Sequence, residues 1–490
     1  MTAAEWIPAD VSKEIRALLP LWLGSVAMVW AGGLPDAARL FFRAGFVMYV
    51  LGSLALGALS VGHEYTSRTL PLLLSVPSSR RRLFAIKTSV LFIMLVVLAV
   101  MALARLPVAP AGREMQDTAI VGGMSFLGAA FLAPWLTMVC RNPIAGALFA
   151  LSIPAGLLVG SEVFSIVLLG QVGTPAAERF RMEIFWSGML LVSAIGGFCG
   201  WRTFLKLQVI DGPPADLVLP RWLSRSNTAS PAQGFQNSSR VWVLLCKELH
   251  LQQLTFMVSG LYICGWAAIL LTWHSTTMTI DQLFLILTVV HGGTIALLAG
   301  SLASAEERQL GTLDSQIVLP MSAARQWLIK CGVVFGLVVV LGLALPALLG
   351  VLKPSVEPMR MNWTFAATVV VAAAVGLYAS SLCGSGLKAL LIAAPAAFAA
   401  VPVLALCDAA ADAMLSLDQK GSADLSAVHS ARVMAFEAAV LIALLLRFAL
   451  INHRSIDSDV RRVWRQLGAI VSFMVLSTVA FTVAQMLFRP

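Results

Sequence analysis

Thirteen apolar runs recur along this chain, near 17–34, 39–62, 84–105, 118–140, 144–169, 184–205, 253–273, 281–304, 327–351, 362–382, 387–407, 431–451 and 467–487. Each is about the length a helix needs to cross the hydrocarbon layer of a bilayer. This feature removes most folds at once. In lipid every backbone N–H and C=O must be satisfied within the protein, so only helices and closed barrels can span. A barrel would show alternation over segments of about ten residues, which is absent here. The runs therefore predict an all-α, polytopic membrane protein. Composition agrees, since 59% of the 490 residues are hydrophobic and only 12% charged, well outside the range of soluble domains.

The polar interruptions are informative in turn. Glu64, Thr69, Leu70, Pro77, Ser79, Arg82, Ile86 and Lys87 recur without a gap as Glu307, Thr312, Leu313, Pro320, Ser322, Arg325, Ile329 and Lys330, each 243 positions on. Cys140 and Cys383 extend the same offset. Identities at one register across a polar stretch mark a tandem duplication. Six runs precede the polar segment 206–240, and six more follow it before the thirteenth. Gly212-Pro213-Pro214, Pro220 and a Ser/Asn/Gln-rich stretch give that segment linker composition,. An even number of spans returns the chain to its starting side, so the halves are parallel repeats. The expected organisation is a first half over 1–205, a cytoplasmic linker over 206–240 and a second half over 241–452. A basic loop and a thirteenth helix follow over 453–490. The run Leu467–Leu487 carries no charge, and its insertion is favoured by roughly 3–6 kcal/mol.

Basic residues orient the chain. If the loops after the second and eighth runs are cytoplasmic, the larger share of the 34 Lys and Arg lies on that side, as the positive-inside rule requires. The expectation is a multi-pass protein of an inner or plasma membrane with a cytoplasmic N-terminus. Met1 to Arg16 includes Glu5, Asp10 and Glu14, which reads as an amphipathic lead-in rather than a cleaved signal peptide. The net charge of +9 is met by anionic lipid heads and cytoplasmic partners, and no nucleic acid is implied.

Soluble-enzyme chemistry finds no foothold. There is no G-x-x-x-x-G-K-[ST] phosphate loop, no G-x-S-x-G elbow and no H-E-x-x-H,. The seven cysteines form no C-x-x-C pair and read as buried thiols. His291 reads as a hydrogen bonder between helices. No catalytic residue, no metal site and no directly bound cofactor is expected, and substrate-binding residues are not assigned. Arg43, Glu162, Asp408 and Glu437 are charges near run boundaries.

The repeated interruption itself has a local reading. Leu313 and Ile317 fall one turn apart on a helix leaving the membrane at Glu307, and Leu70 and Leu74 do the same after Glu64,. Pro320 and Pro77 then stop these helices. Each copy would present a short cytoplasmic helix with an apolar stripe, near 64–77 and 307–320.

These residues resemble the first cytoplasmic loop of type-2 ABC exporter permeases, which carries a Glu, a Gly-Thr-Leu four residues later and a Pro-x-Ser-Arg-like exit. Glu307, Gly311, Thr312, Leu313 and Pro320 match well. Glu64, Thr69, Leu70 and Pro77 match with Arg68 in place of Gly. The resemblance implies that these positions form two coupling helices. Two copies of a separate ATP-binding subunit, carrying ATP and Mg, would dock on them, so the chain is not itself an enzyme. It also makes Lys13-Glu14-Ile15-Arg16 and Lys247-Glu248-Leu249-His250 resemble interfacial elbow helices. The acidic segment 408–429 would face outside and could meet an accessory subunit. Two other classes share parts of this pattern: an ion-coupled twelve-helix transporter, and a membrane scaffold that recruits an ATPase.

Overall fold

The computed structural model describes residues 9–31, 38–66, 69, 79–104, 113–169, 174–207, 240–272, 280–310, 321–352, 363–397, 423–454 and 460–487. Among them every regular element is helical and none is a strand. Nine of these helices are long and apolar enough to cross a membrane, which is the architecture of a multi-pass membrane protein. Two compact units divide the chain. One comprises Met1–Ser226 with Ala267–Ile280, the other Asn227–Trp266 with Asp281–Pro490.

The first unit contains α1 (Ala9–Ala31), α2 (Ala38–Thr66) and α3 (Arg80–Leu103). α4 joins Arg113–Leu127, a π-helical stretch Gly128–Leu132 and Ala133–Cys140, and α5 (Pro143–Leu169) and α6 (Pro175–Leu205) follow. Polar caps end the loops between the spans. Ser79 accepts from the Arg82 amide to start α3. Asn142 Oδ1 accepts from the amides of Ile144 and Ala145 ahead of α5. Thr174 accepts from Ala177 to start α6. Pro143 and Pro175 occupy first helical positions, where the missing amide hydrogen costs nothing. Leu54, Leu56, Leu91, Leu95, Ala129, Leu132, Phe185 and Met189 pack the interior. Phe92, Ile93 and Val100 of α3, with Leu190, Leu191 and Ile195 of α6, remain exposed, as suits surfaces that face lipid.

The second unit contains α7 (Arg240–Leu251), most of α8 (Gln253–Thr272) and α9 (Ile280–Leu310). α10 joins Ala323–Leu337, a π-helical stretch Val338–Ala344 and Leu345–Val351. It continues with α11 (Trp363–Leu382), α12 (Gly386–Ala397), α13 (Ala423–His453) and α14 (Val460–Leu487). α9 and α11 are more deeply buried than the other spans. Small residues dominate where they meet, with Ala296, Ala299 and Ala303 in one cluster with Ala372 and Ala373, and such residues let helices approach closely in a membrane. Gly300 lies on the backbone of Ala373 and Gly376. In the first unit Gly57, 243 positions earlier, lies on the backbone of Ala129. Two glycines at the repeat offset thus meet neighbouring backbone in the same way.

Both π-helical stretches have a local cause. Leu132 is followed by Pro134 and Ala344 by Pro346. A proline cannot donate and pushes away the carbonyl four residues earlier, and a widened turn accommodates it. The two stretches lie in different spans of their units, so here the copies depart. In α10 the widened turn leaves the Leu341 carbonyl able to accept from His291 Nε2 at 2.9 Å. His291 also stacks on Tyr262 with centroids 4.0 Å apart. It is a helix-to-helix hydrogen bonder in this structure.

The last helix is held by a polar clasp. Gln466 of α14 and Asn452 of α13 exchange two amide hydrogen bonds, both 3.0 Å. Tyr378 of α11 donates to the Gln466 carbonyl at 3.1 Å, and the Asn452 amide also reaches Ser381 Oγ at 3.3 Å. All four side chains are buried.

Candidate functional site

At the root of each repeated loop the chain buries a cluster of carboxylates and ammonium groups. α2 continues helically through Glu64 to Thr66, and Glu64 is fully buried. Lys87, two turns into α3, sits between Glu64 and Glu14 of α1. Its Nζ is 2.8 Å from Glu14 Oε1 and 3.4 Å from Glu64 Oε1, and it donates to the Ser60 carbonyl at 3.3 Å. Lys13 of α1 reaches Glu64 Oε1 from the rim at 2.9 Å, its side chain 51% exposed. The Thr69 hydroxyl donates to the other Glu64 oxygen, and the Thr69 amide donates to the Glu64 carbonyl at 3.1 Å. The loop thus leaves α2 already tied to it.

The second unit builds the same cluster. Glu307, in the last turn of α9, is fully buried. Lys330 of α10 lies 2.9 Å from Glu307 Oε2 and 2.9 Å from each Glu248 oxygen. It donates to the Ala303 carbonyl at 2.6 Å, the position 243 residues after Ser60. Lys247 reaches Glu307 Oε1 at 2.7 Å from the rim. Lys13-Glu14 and Lys247-Glu248 repeat at an offset of 234 rather than 243, so the two copies absorb a length difference between helices and still converge on one arrangement. Each cluster joins three elements: α1, the end of α2 and the start of α3 in the first unit, and α7, the end of α9 and the start of α10 in the second.

The energetics of such a joint are distinctive. Taking charges out of water costs several kcal/mol per ion, and their mutual attraction roughly offsets this when the geometry is good. The joint therefore adds little net stability over an apolar core of the same shape, but it tolerates few arrangements. Loss of one member leaves an uncompensated charge. By donor type and proximity, Glu14, His63 and Glu64 could hold a metal ion. The ammonium groups of Lys13 and Lys87 already occupy those carboxylates, so the residues present do not suit a cation.

Glu248 lies on α7, outside the candidate spans. Burial, with repulsion from Glu307, pushes its carboxyl up to about 7 against the pull of Lys330 and Lys247. A carboxyl raised in the folded state contributes stability that is fully present below its unfolded value of about 4.3 and is lost as pH rises through about 7. The detergent-solubilised protein is therefore expected to lose about 1–3 kcal/mol of stability between pH 5 and 8, and Glu248→Gln should flatten that profile. Equal pH profiles for the two proteins would contradict the assignment.

Of the residues singled out from sequence, Glu64, Thr69 and Glu307 meet at these joints. As placed here, the two carboxylates pair with lysines of their own unit rather than with an outward surface. Leu70, Pro77, Gly311, Thr312, Leu313, Pro320, Asp408 and Cys407 lie outside the described residues. Arg80, one of the basic residues at the loop exit, donates to the carbonyls of Leu205 and Leu207 at 2.8 Å and closes the end of α6. Glu437 is buried. The six cysteines that are described form no disulfide among themselves. Sequence reasoning gave no role to Lys87 and Lys330, although a signal was present. Each is a lysine inside an apolar run, recurring at the repeat offset.

No family model matches this chain, and no curated protein or solved structure is significantly similar to it.

Proposed function

We propose that this chain is the membrane-spanning subunit of an ABC-2 type exporter, built from two parallel six-span halves and one further C-terminal span. Separate ATPase subunits, carrying ATP and Mg, bind its two repeated cytoplasmic loops, which act as coupling helices. The single observation that carries this reading is the recurrence of the buried Lys/Glu joint at the root of both loops. A loop that transmits force must be stiffly tied to what it moves. Here the loop is tied through Thr69 and Glu64 to α2, through Lys87 to α3, and through Glu14 to the interfacial α1. Glu307, Lys330 and Glu248 make the matching connections in the second copy. A push on either loop is delivered to three helices together rather than dissipated in one flexible turn. In this role Glu64 and Glu307 position the coupling helices, and the apolar stripes headed by Leu70 and Leu313 meet the ATPase. The family resemblance makes a lipid-like, glycan or amphipathic substrate the expectation.

Co-expression with an ATPase that carries a phosphate-binding loop, encoded beside this chain, tests the reading. A stable complex is expected. Leu70→Asp with Leu313→Asp should weaken it by about tenfold or more, as removal of a central apolar anchor does. Glu307→Ala should insert normally but lower stimulated ATP hydrolysis. Transport driven by an ion gradient without nucleotide would point instead to a secondary transporter, and a complex that hydrolyses ATP but moves nothing would point to a scaffold.

A further inference from the structure

Inside the second unit, far from the joints, one buried polar atom is left over. His291 stands near the middle of the apolar run 281–304, about 24 Å along α9 from Glu307,, and it is buried. Its Nε2 lies 2.9 Å from the Leu341 carbonyl oxygen. A carbonyl only accepts, so Nε2 carries the hydrogen and Nδ1 of the neutral ring is a bare acceptor. Nδ1 has no hydrogen-bond partner among the described residues. Fastening α9 to α10 needs only one ring nitrogen, and an unpaired acceptor in hydrocarbon is costly. Tyr262 of α8 lies over the ring, and its hydroxyl is 3.0 Å from Thr288 Oγ1. The first unit shows that the repeat does without this group. By the two repeat offsets, Met28, Gly45 and Met48 stand where the second unit has Tyr262, Thr288 and His291. α3 is also plain α-helix where α10 carries the π-helical stretch that presents the Leu341 carbonyl, and such stretches are frequent at functional sites.

The surroundings restrict what can complete Nδ1. Tyr262 belongs to a small apolar cluster with Phe284 and Leu349, against which Trp266, Leu287 and Leu345 pack. No ionised side chain among the described residues acts on the imidazole. An ion brought here would be uncompensated, and a molecule with many hydroxyls would strand most of its donors. A neutral molecule with an apolar body and a single O–H strands nothing, because its donor meets the one free acceptor. We propose that Tyr262, Thr288 and His291 form a binding site for such an alcohol, which donates to His291 Nδ1. In the closed arrangement Tyr262 is its cover. α8 faces outward through Leu261 and Ile263, so a molecule dissolved in the bilayer reaches the ring when Tyr262 turns aside. The Tyr262 and Thr288 hydroxyls, paired with each other until then, are released towards the ligand oxygen. On the reading proposed above the alcohol is exported cargo; the site itself rests only on the geometry of the second unit.

The experiment uses the full-length protein in phosphatidylcholine nanodiscs without an ATPase, so its failure is distinct from a failure of the coupling reading. His291-Gly292 is the one His-Gly pair in the chain. Labelling with 13C,15N-histidine and 15N-glycine therefore assigns His291 without a variant. Dodecanol is expected to shift the Nδ1 signal, while dodecyl methyl ether, which lacks only the donor, leaves it in place. A shift with dioleoylglycerol as well would identify a lipid-borne hydroxyl as the ligand, and a response to dodecanol alone a free alcohol. Dodecanol should also raise the unfolding temperature more than the ether does, reflecting an affinity about tenfold higher through one hydrogen bond to a desolvated acceptor. His291→Met, which installs the residue of the first copy, should fold and lose that difference. An Nδ1 signal indifferent to dodecanol, or displaced equally by the ether, would overturn the proposal, as would a His291→Met protein that still prefers the alcohol.

Discussion

Lys330→Met is expected to destabilise the second half by about 3–5 kcal/mol, the usual penalty for stranding a buried charge. Lys330 is 1% exposed and holds two carboxylates from different helices. Methionine fills the same volume, so the loss isolates charge from packing. Lys247 pairs with Glu307 at 2.7 Å, so the loss falls hardest on Glu248, which Lys330 holds through both oxygens. Two comparisons sharpen the result. Lys87→Met should cost about as much in the first half, because Lys87 likewise lies between two buried carboxylates, Glu14 and Glu64, and Lys13 stays on Glu64 as Lys247 stays on Glu307. Replacing Lys330, Glu248 and Glu307 together by apolar residues of similar size should restore most of the lost stability, since a buried ion cluster and a packed apolar core are often nearly equal. Unfolding of the purified protein in detergent, followed by tryptophan fluorescence, reads all three. A Lys330→Met protein as stable as its parent would show that the cluster carries no buried charge. The triple variant should be stable but defective in ATPase stimulation, which would separate the joint's mechanical role from its part in folding.

A second large effect is expected at Gly300. A Cβ there would lie 2.5 Å from the Ala373 carbonyl oxygen and 2.8 Å from the Leu377 amide nitrogen. Both are backbone atoms of α11, so no side chain can move aside. Gly300→Ala must separate α9 from α11 and should cost about 1–3 kcal/mol, typical of overpacking a tight core. Gly293 lies on the same helix with nothing within 4 Å of an added Cβ. Gly293→Ala should instead add about 0.5–1 kcal/mol by restricting the unfolded chain. Opposite signs from one methyl on one helix can be read in a single thermal-shift series, and equal signs would refute the close approach of α9 and α11.

Much of the architecture could be read from the sequence because the bilayer imposes one dominant constraint. Each apolar run whose residues are described coincides with a helix. The ends are another matter. The run predicted from 17 belongs to a helix that begins at Ala9, because Asp10, Lys13, Glu14 and Arg16 continue it outside the apolar layer. The run from 184 belongs to a helix that begins at Pro175. Hydropathy reports where a helix is greasy, while caps such as Thr174 and Ser79 decide where it starts. The repeat was equally legible, since eight identities at one offset need no structure to be seen.

The joints were not legible as joints. Glu14 and Glu64 are separated by a whole span, and the offset of their partners changes from 234 to 243 between copies, so no single register displays the cluster. Reading each motif by itself placed Lys13-Glu14 on an interfacial helix, Glu64 on a loop and Lys87 in a span. Only the fold brings the three to within about one hydrogen bond of each other.

The amide pair between Asn452 and Gln466 bears on how the protein is made. α14 leaves the ribosome after α11 and α13, and until it does, the Tyr378 hydroxyl and the Asn452 amide lack the acceptor that Gln466 supplies. In hydrocarbon such polar groups seek any available partner. The nascent chain therefore keeps an adhesive polar face on α11 and α13 until α14 has been made and packs against them. A chain truncated before Gln466 would leave that face open.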